Sequence, residues 1–468
     1  RIVSREEGLL AKEVWTVMEA QDQSLWIGTH GGGLGHLQKG KITNYTIEDG
    51  LTSMQITALH QSRKDGSIWV GSEDNGFMKI ENDMITPYHL GSSVAENAIY
   101  SIEEQDDGVM LIGSAAGIAY WKNGKIESRI TTDEGLSHNA VREFARGRGQ
   151  NEFWVSTDIG LNLIQNGQVV SSWFKSHGLS EDALNGLYFD SEDNLWICTY
   201  GNGIVHFKNG RFTAITSSSG LHNDVVYDIV EDGKAWFWMS SNRGVFAVRK
   251  AELLDFVKGD VNRVSCFHLG IGDGLRSLEC NGGRQPAVCL TRSGLACFAT
   301  IDGVAILDTK QFKTDESAPP IIIEEITANN RSVQITDAIS IPPGKRNFDI
   351  TFTSPTFSAP EKIHHQYRLV PFEENWQDSK DLRRAHYTNI PPGQYDFELR
   401  SSNRFGIWSE TTSRLPIEFR PFFYETVFFR ILVILLITAL VLFYLKQRTQ
   451  HLQKSKKALE DAVTQRTK

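Results

Sequence analysis

No P-loop, G-x-S-x-G, H-E-x-x-H or paired Cys-x-x-Cys motif occurs in these 468 residues. That removes the phosphate-cradling loop, the nucleophile elbow, the helical zinc hydrolase and the paired-thiol site. Gly31-Gly32-Gly33 and Gly201-Asn202-Gly203 precede no helical pattern, so neither reads as an anion-binding loop. His364 and His365 are adjacent and would point to opposite faces of a strand, unable to share one metal. No catalytic residue, metal or cofactor is expected. Cysteine is also scarce. Cys198, Cys266, Cys280, Cys289 and Cys297 make an odd total of five, so at least one is unpaired within the chain. Cys289 and Cys297 are symmetric about a turn at Arg292-Ser293-Gly294, which sets them opposite each other on two antiparallel strands. A cross-strand disulfide and a pair of buried free thiols both fit.

Positive charge is in short supply outside the C-terminal tail. Residues 446–468 carry a net +5, which leaves −14 for residues 1–445 out of a total of −9. An exterior this acidic argues against nucleic acid as a partner. Neither an initiating methionine nor a signal peptide is visible, and the chain stops inside a helical pattern. A large outward domain needs a leader, so the natural protein is expected to start upstream and to continue beyond Lys468.

Long apolar runs are missing with one exception. Val427 to Leu445 holds nineteen residues with a single charge, Arg430. As a helix it would span roughly 28 Å, the thickness of a bilayer's hydrocarbon core. Phe422, Phe423, Tyr424 and Tyr444 flank it as interfacial aromatics, and Lys446, Arg448, Lys454, Lys456 and Lys457 follow. The positive-inside rule makes that tail cytoplasmic. Residues 1–420 then lie outside the cytoplasm, 421–445 cross the membrane and 446–468 lie inside. Leu445, Leu452 and Leu459 recur every seven residues, with Ala462 near a second seam. A dimeric coiled-coil start is the expectation.

What the chain has in abundance is repetition. Trp26, Trp69, Leu111, Trp154, Trp196 and Trp238 each precede an apolar and then a small residue, at spacings of 43, 42, 43, 42 and 42. Cys297-Phe298-Ala299 is a seventh, displaced copy. Gly8-Leu9, Gly50-Leu51, Gly135-Leu136, Gly178-Leu179 and Gly220-Leu221 keep step as a second marker. The first unit reads as four strands, Val14–Glu19, Leu25–Thr29, Leu34–Gln38 and Ile42–Thr46, broken by turn residues. Four strands per period near 42 describe a β-propeller blade, and seven copies make a seven-bladed ring over residues 1–314. The large aromatic should pack between blades, with the small residue allowing close approach near the channel. Arg1-Ile2-Val3-Ser4 sits where an outer strand belongs. It either closes the seventh blade or is the remnant of a preceding propeller. Between Lys250 and Gln285 the period breaks. Ala251 to Lys258 reads as a helical turn, and Asp273 to Pro286 as a loop dense in glycine and polar side chains.

These blades resemble the regulator-propeller repeats of bacterial membrane sensors, with Gly135-Leu136-Ser137, Trp196-Ile197 and Glu279-Cys280-Asn281-Gly282-Gly283 standing as in that family. The third copy departs, with Leu111 for tryptophan and no Gly-Leu before it. After Ser317-Ala318-Pro319-Pro320 the period vanishes and strand-like runs with proline-rich turns suggest a β-sandwich of about one hundred residues, assigned to 315–420. Tyr367-Arg368-Leu369, Trp376, the Tyr387 to Tyr395 run and Asn403 to Ser409 resemble the small domain named for its three tyrosines. Its aromatics are expected to be core residues. The ending from Leu459 to Lys468 looks like the lead-in to a histidine-kinase dimerisation helix or a diguanylate cyclase.

The resulting expectation is an all-β chain with one membrane helix: a one-pass receptor of the inner membrane, homodimeric through its juxtamembrane coiled coil. The resemblance implies a two-component or cyclic-dinucleotide output and a small-molecule or carbohydrate-derived ligand. Contacts are assigned to the turns after the second strands, His30, Asp74, Asn75, Tyr200, Asn202, Asn242 and Arg243, and to Arg276, Asn281 and Gln285 of the irregular loop. Two rival classes stay open: a membrane-tethered propeller enzyme acting on a polysaccharide, and a propeller scaffold that binds another protein.

Overall fold

The computed structural model describes residues 1–466 apart from 313–316, 330, 337, 345–346, 357–362, 380–381, 406 and 410–412. Gly406, Thr467 and Lys468 of the motifs quoted above lie outside the described residues. The chain forms two compact units, Arg1–Thr314 and Asp315–Lys468.

The first unit is a ring of seven four-stranded antiparallel sheets. Blade 1 consists of Val14–Glu19, Leu25–Thr29, Leu34–Gln38 and Lys41–Tyr45, and blades 2 to 5 repeat it in sequence order. In blade 6 the helix Lys250–Lys258 stands between the third strand, Gly244–Arg249, and the fourth, Phe267–Leu269. Blade 7 takes three strands from Val288–Leu290, Leu295–Thr300 and Gly303–Asp308, and its outer strand is Ile2–Val3, paired with Ala305 and Val304. The N-terminal strand therefore closes the ring.

Packing explains both sequence markers. Trp26 lies in a cluster with Ile56 and Val70 of blade 2, Trp69 with Ile99 and Ile112 of blade 3, and Trp196 with Ile229 and Phe237 of blade 6. Each is the wedge between two sheets. Leu111 does the same against Val141 and Val155, so the third blade keeps the packing without the aromatic. A Cβ on Gly28 would lie 2.4 Å from Thr16 and 2.7 Å from Ile56, which is why a small residue follows the wedge. The Gly-Leu marker ends a one-turn 3-10 helix. Gly50 has φ 106° and donates to Ile47 O, while Leu51 is buried between blades.

A third marker is hydroxyl-based. Thr29, Ser72, Ser114, Thr157, Thr199, Ser241 and Thr300 end the second strands, and each donates its side-chain hydroxyl to the carbonyl of the glycine that opens or precedes the third. All seven turns on that face are thus built alike.

The second unit carries two sheets. One has the order Arg331–Val333, Ile322–Ala328, Phe348–Thr353, Arg384–Tyr387; the other runs Ile339–Ile341, Ser413–Phe419, Gly393–Ser401, His365–Val370, Gln377–Asp378. Phe348, Ile350 and Phe352 from the first share one core with Leu369, Phe397, Leu399 and Phe419 from the second. Tyr367 and Tyr395 pack against that core and Tyr387 belongs to it, its hydroxyl donating to Glu373 at 2.7 Å. Trp376 lies between the guanidinium groups of Arg368 and Arg400, at 4.6 and 4.3 Å. A single helix, Val427–Arg466, follows without interruption. It contains a stretch long and apolar enough to cross a membrane, none of it buried against the protein.

Candidate functional site at the channel mouth

The seven inner strands surround a channel, and their free edges expose backbone groups that need partners. Residues 280–288 supply them. Asn281 N–H donates to Ala299 O in blade 7 and its side-chain amide to Val14 O in blade 1. Gln285 N–H donates to Tyr100 O, while Leu59 N–H donates to Gln285 O. The Gln285 side chain accepts from Phe144 N–H and donates to Phe144 O at 2.9 Å. Val17 N–H donates to Pro286 O. Finally, Ala287 and Val288 N–H groups donate to the Asp228 carboxylate at 3.2 and 3.0 Å. The segment read as an irregular loop is a strut across the ring. Asp273-Gly274-Leu275, just before it, is the repeat's ordinary turn, with Gly274 at φ 98°.

Above this strut lies a second feature with the period of the repeat. The inner strands of blades 1 to 5 are bulged near their starts, at Trp15, Thr57, Tyr100, Arg142 and the Asn185-Gly186 pair; Tyr227 occupies the matching place in blade 6. A bulge re-aims a side chain out of the sheet's alternation. Thr57 and Asn185 turn to the next blade, donating to Ile99 O and Val226 O, whereas Trp15, Tyr100 and Arg142 gather at the strut. Arg284 of the strut lies over the rings of Tyr100, at 4.5 Å, and Trp15, at 5.1 Å. Arg142 stacks on the same tyrosine at 4.7 Å. A Cβ on Gly282 would fall 2.3 Å from the Tyr227 ring, so the glycine lets strut and tyrosine meet.

Charge at this mouth is paired. Arg142 makes a two-pronged bond with Asp158, and Arg284 Nη2 donates to Glu73 at 2.9 Å. Burial pulls the Arg284 pKa down against the opposing pull of Glu73. Among the described residues its buried Nε has no hydrogen-bond partner. Deeper in the channel, burial and the neighbouring Asp228 charge raise the Glu143 pKa well above the usual carboxylate range. Burial pushes Asp228 up to about 7, although three backbone N–H groups oppose the rise.

Of the residues expected from sequence, His30 joins this mouth: its ring stacks on Trp15 at 4.3 Å, with Glu13 at 3.3 Å. Tyr200 is exposed, its ring 6.3 Å from Tyr227. Asp74 is exposed on its turn. Asn75 and Asn202 hold turns, donating to Thr52 O and Ser180 O. Asn242 accepts from Asn223, and Arg243, exposed, offers its carbonyl to His222. Arg276 is a staple to the N-terminal segment, bound to Ser4 and Glu6. Asn281 and Gln285 are structural members of the strut. Trp15, Tyr100, Arg142, Tyr227 and Arg284 were missed. Their signal was the repeat column following the constant Val14, Ile56, Ile99, Val141, Leu184 and Val226, where side-chain chemistry changes from copy to copy.

The first unit is a seven-bladed propeller whose inner edges are bridged by the strut, and the second carries two sheets and one apolar helix. Comparison with known proteins agrees. Residues 356–420 match the Y_Y_Y domain, a narrower span than the 315–420 expected. Histidine kinase P4 of Formosa agariphila is 24% identical over 353 residues, covering 70% of this chain and 25% of the kinase. The extracellular domain described as part of a hybrid two-component system of B. thetaiotaomicron superposes with a TM-score of 0.70 at 22% identity, covering 90% of this chain and 57% of that one. A second such domain from the same organism gives 0.53 at 15% identity, covering 90% and 58%. An inactive virginiamycin B lyase variant from Staphylococcus aureus gives 0.52 at 16%, covering 65% of this chain and 97% of the lyase, a likeness of fold alone. The chain thus spans a quarter of its curated relative and just over half of the two-component domains. The resemblance to regulator-propeller sensors with a three-tyrosine domain is borne out. The apolar helix and the extracellular relatives fit a single-pass membrane protein whose propeller faces outward.

Proposed function

We propose that this chain is the ligand-sensing and membrane-crossing portion of a bacterial one-pass receptor, with its ligand seated at the channel mouth. The observation that carries the reading is the bulged column: packing is constant around it, yet Trp15 and Tyr100 stack on Arg284, Arg142 shares the Tyr100 ring, and Tyr227 meets the strut at Gly282. Aromatic faces beside paired guanidinium and carboxylate groups suit a small polar molecule or an oligosaccharide, whose ring faces stack while its hydroxyls bond. The two-sheet domain and the helix relay the change to a homodimeric cytoplasmic output across the inner membrane. The histidine-kinase relative favours a kinase output over a cyclase.

A thermal-shift screen of the detergent-solubilised chain against sugars, oligosaccharides and small metabolites tests this. A compound that raises the melting temperature of the wild type, leaves Tyr100→Ala unmoved and is recovered unchanged supports the proposal. Conversion to product would replace it with the tethered-enzyme reading. Equal shifts in both proteins would move the site elsewhere.

A further inference from the structure

Cys289 and Cys297 face each other directly across the first two strands of blade 7, between the pairs Val288–Phe298 and Leu290–Ala296. Neighbouring bonds define the kind of pairing. Thr291 N–H donates to Leu295 O and Ala299 N–H to Ala287 O, so by the alternation of an antiparallel ladder 289 and 297 also form a hydrogen-bonded pair. Such a pair separates its Cα atoms by about 5.5 Å, inside the roughly 4.4–6.8 Å that a disulfide bridges, while its Cβ atoms, up to about 5.5 Å apart, must draw in by about 1 Å to join the two free thiols. Opposite residues share a face. Both cysteines belong to the apolar cluster between blades 7 and 1, with Val17, Leu25 and Ile27. Their thiols are in hydrogen-bond contact, and that contact, followed by burial, raises the Cys289 pKa. Among the described residues no other cysteine stands across a strand from a second one: Cys198 faces Ile204 and Cys280 bridges to Thr300.

We propose that Cys289 and Cys297 form a disulfide across the ring-closing blade. The proposal rests on the outward placement of the propeller, which puts the blade in a thiol-oxidising compartment. Two S–H bonds break and one S–S bond forms; two electrons and two protons pass to a disulfide oxidant, which leaves as two thiols. In the finished blade the Cys289 thiol is protonated and shielded, so the bond forms during folding, while the hairpin is still accessible. Once made, it fastens the end of the strut, because Ala287 and Val288, which hold Asp228, immediately precede Cys289. Blade 7 is then secured twice, at its outer edge by Ile2–Val3 and at its inner edge by the bridge.

Trypsin cleaves after Arg292 and separates the two cysteines into peptides 285–292 and 293–310. The full chain is extracted from its membrane, denatured in N-ethylmaleimide without reductant, and digested. The two peptides should be found joined, released by reduction, and missing from Cys289→Ser and Cys297→Ala chains, while Cys198, Cys266 and Cys280 are alkylated. Alkylation of Cys289 and Cys297 in the membrane-derived wild type would overturn the proposal. Parallel refolding in oxidised glutathione tells which support failed: a link there alone refutes the outward placement, and no link in either sample refutes the pairing itself.

Discussion

Asp228 illustrates how a single side chain ties the ring to its strut. Its carboxylate accepts from Ile229, Ala287 and Val288, yet burial beside Glu143 raises its pKa to about 7. A folded-state pKa above the unfolded value of about 3.9 means that the native protein holds an extra proton between these limits. Stability therefore falls as pH rises from about 4 to about 7 and then levels, by at most about 1.4 kcal/mol per pH unit for one group. Melting temperatures measured from pH 5 to 8 should decline in the wild type and decline less in Asp228→Asn. Gly28 makes the opposite kind of demand, for space. Gly28→Val drives its side chain into Thr16 and Ile56 and should cost about 1–3 kcal/mol in urea unfolding. That glycine was legible in the sequence because the repeat displayed it beside a tryptophan. Asp228 was not, since nothing near it in sequence announces Ala287 and Val288 as its partners.

Among the elements, the blades were readable and the strut was not. Alternating apolar residues and turn chemistry at a constant period give the four strands of blade 1 to within a residue of their observed ends. The strut has no period and no regular structure; its meaning comes from partners in other blades, up to 270 positions away in the case of Pro286 and Thr16. The bulged column escaped for a related reason. Strand alternation treats every second residue as core, and a bulge shifts that phase by one at the bulged residue. If the strut holds the inner edges, loosening it should show there first. Gly282→Val, which collides with the Tyr227 ring, should speed hydrogen exchange at the Val17 and Leu59 amides by about tenfold, the equivalent of 1.4 kcal/mol, with outer strands less affected.

For the molecule as a whole, closure is a matter of five residues. Ile2 and Val3 complete blade 7, Ser4 and Glu6 receive Arg276, and the Arg1 main-chain nitrogen donates to Ile306 O. Deletion of residues 1–4 leaves blade 7 with an open edge and should lower the propeller's calorimetric melting temperature by several degrees, consistent with a loss of a few kcal/mol. Beyond the ring, the apolar helix was legible from composition and the second domain from its tyrosines, whereas three short strands, Arg331–Val333, Ile339–Ile341 and Gln377–Asp378, had too few residues to register.

The bulged column has one further consequence. Trp15, Tyr100, Arg142 and Tyr227 turn to the strut, while Thr57 and Asn185 are buried and donate to Ile99 O and Val226 O of the next blade, so exchange at the first four should disturb the ring less than exchange at the other two. Gene duplication that multiplied one blade would also have multiplied one adjustable position, and each copy became free to drift on its own. A propeller built in this way can acquire a new chemical preference one blade at a time, by point mutation, without ever passing through an unfolded ancestor.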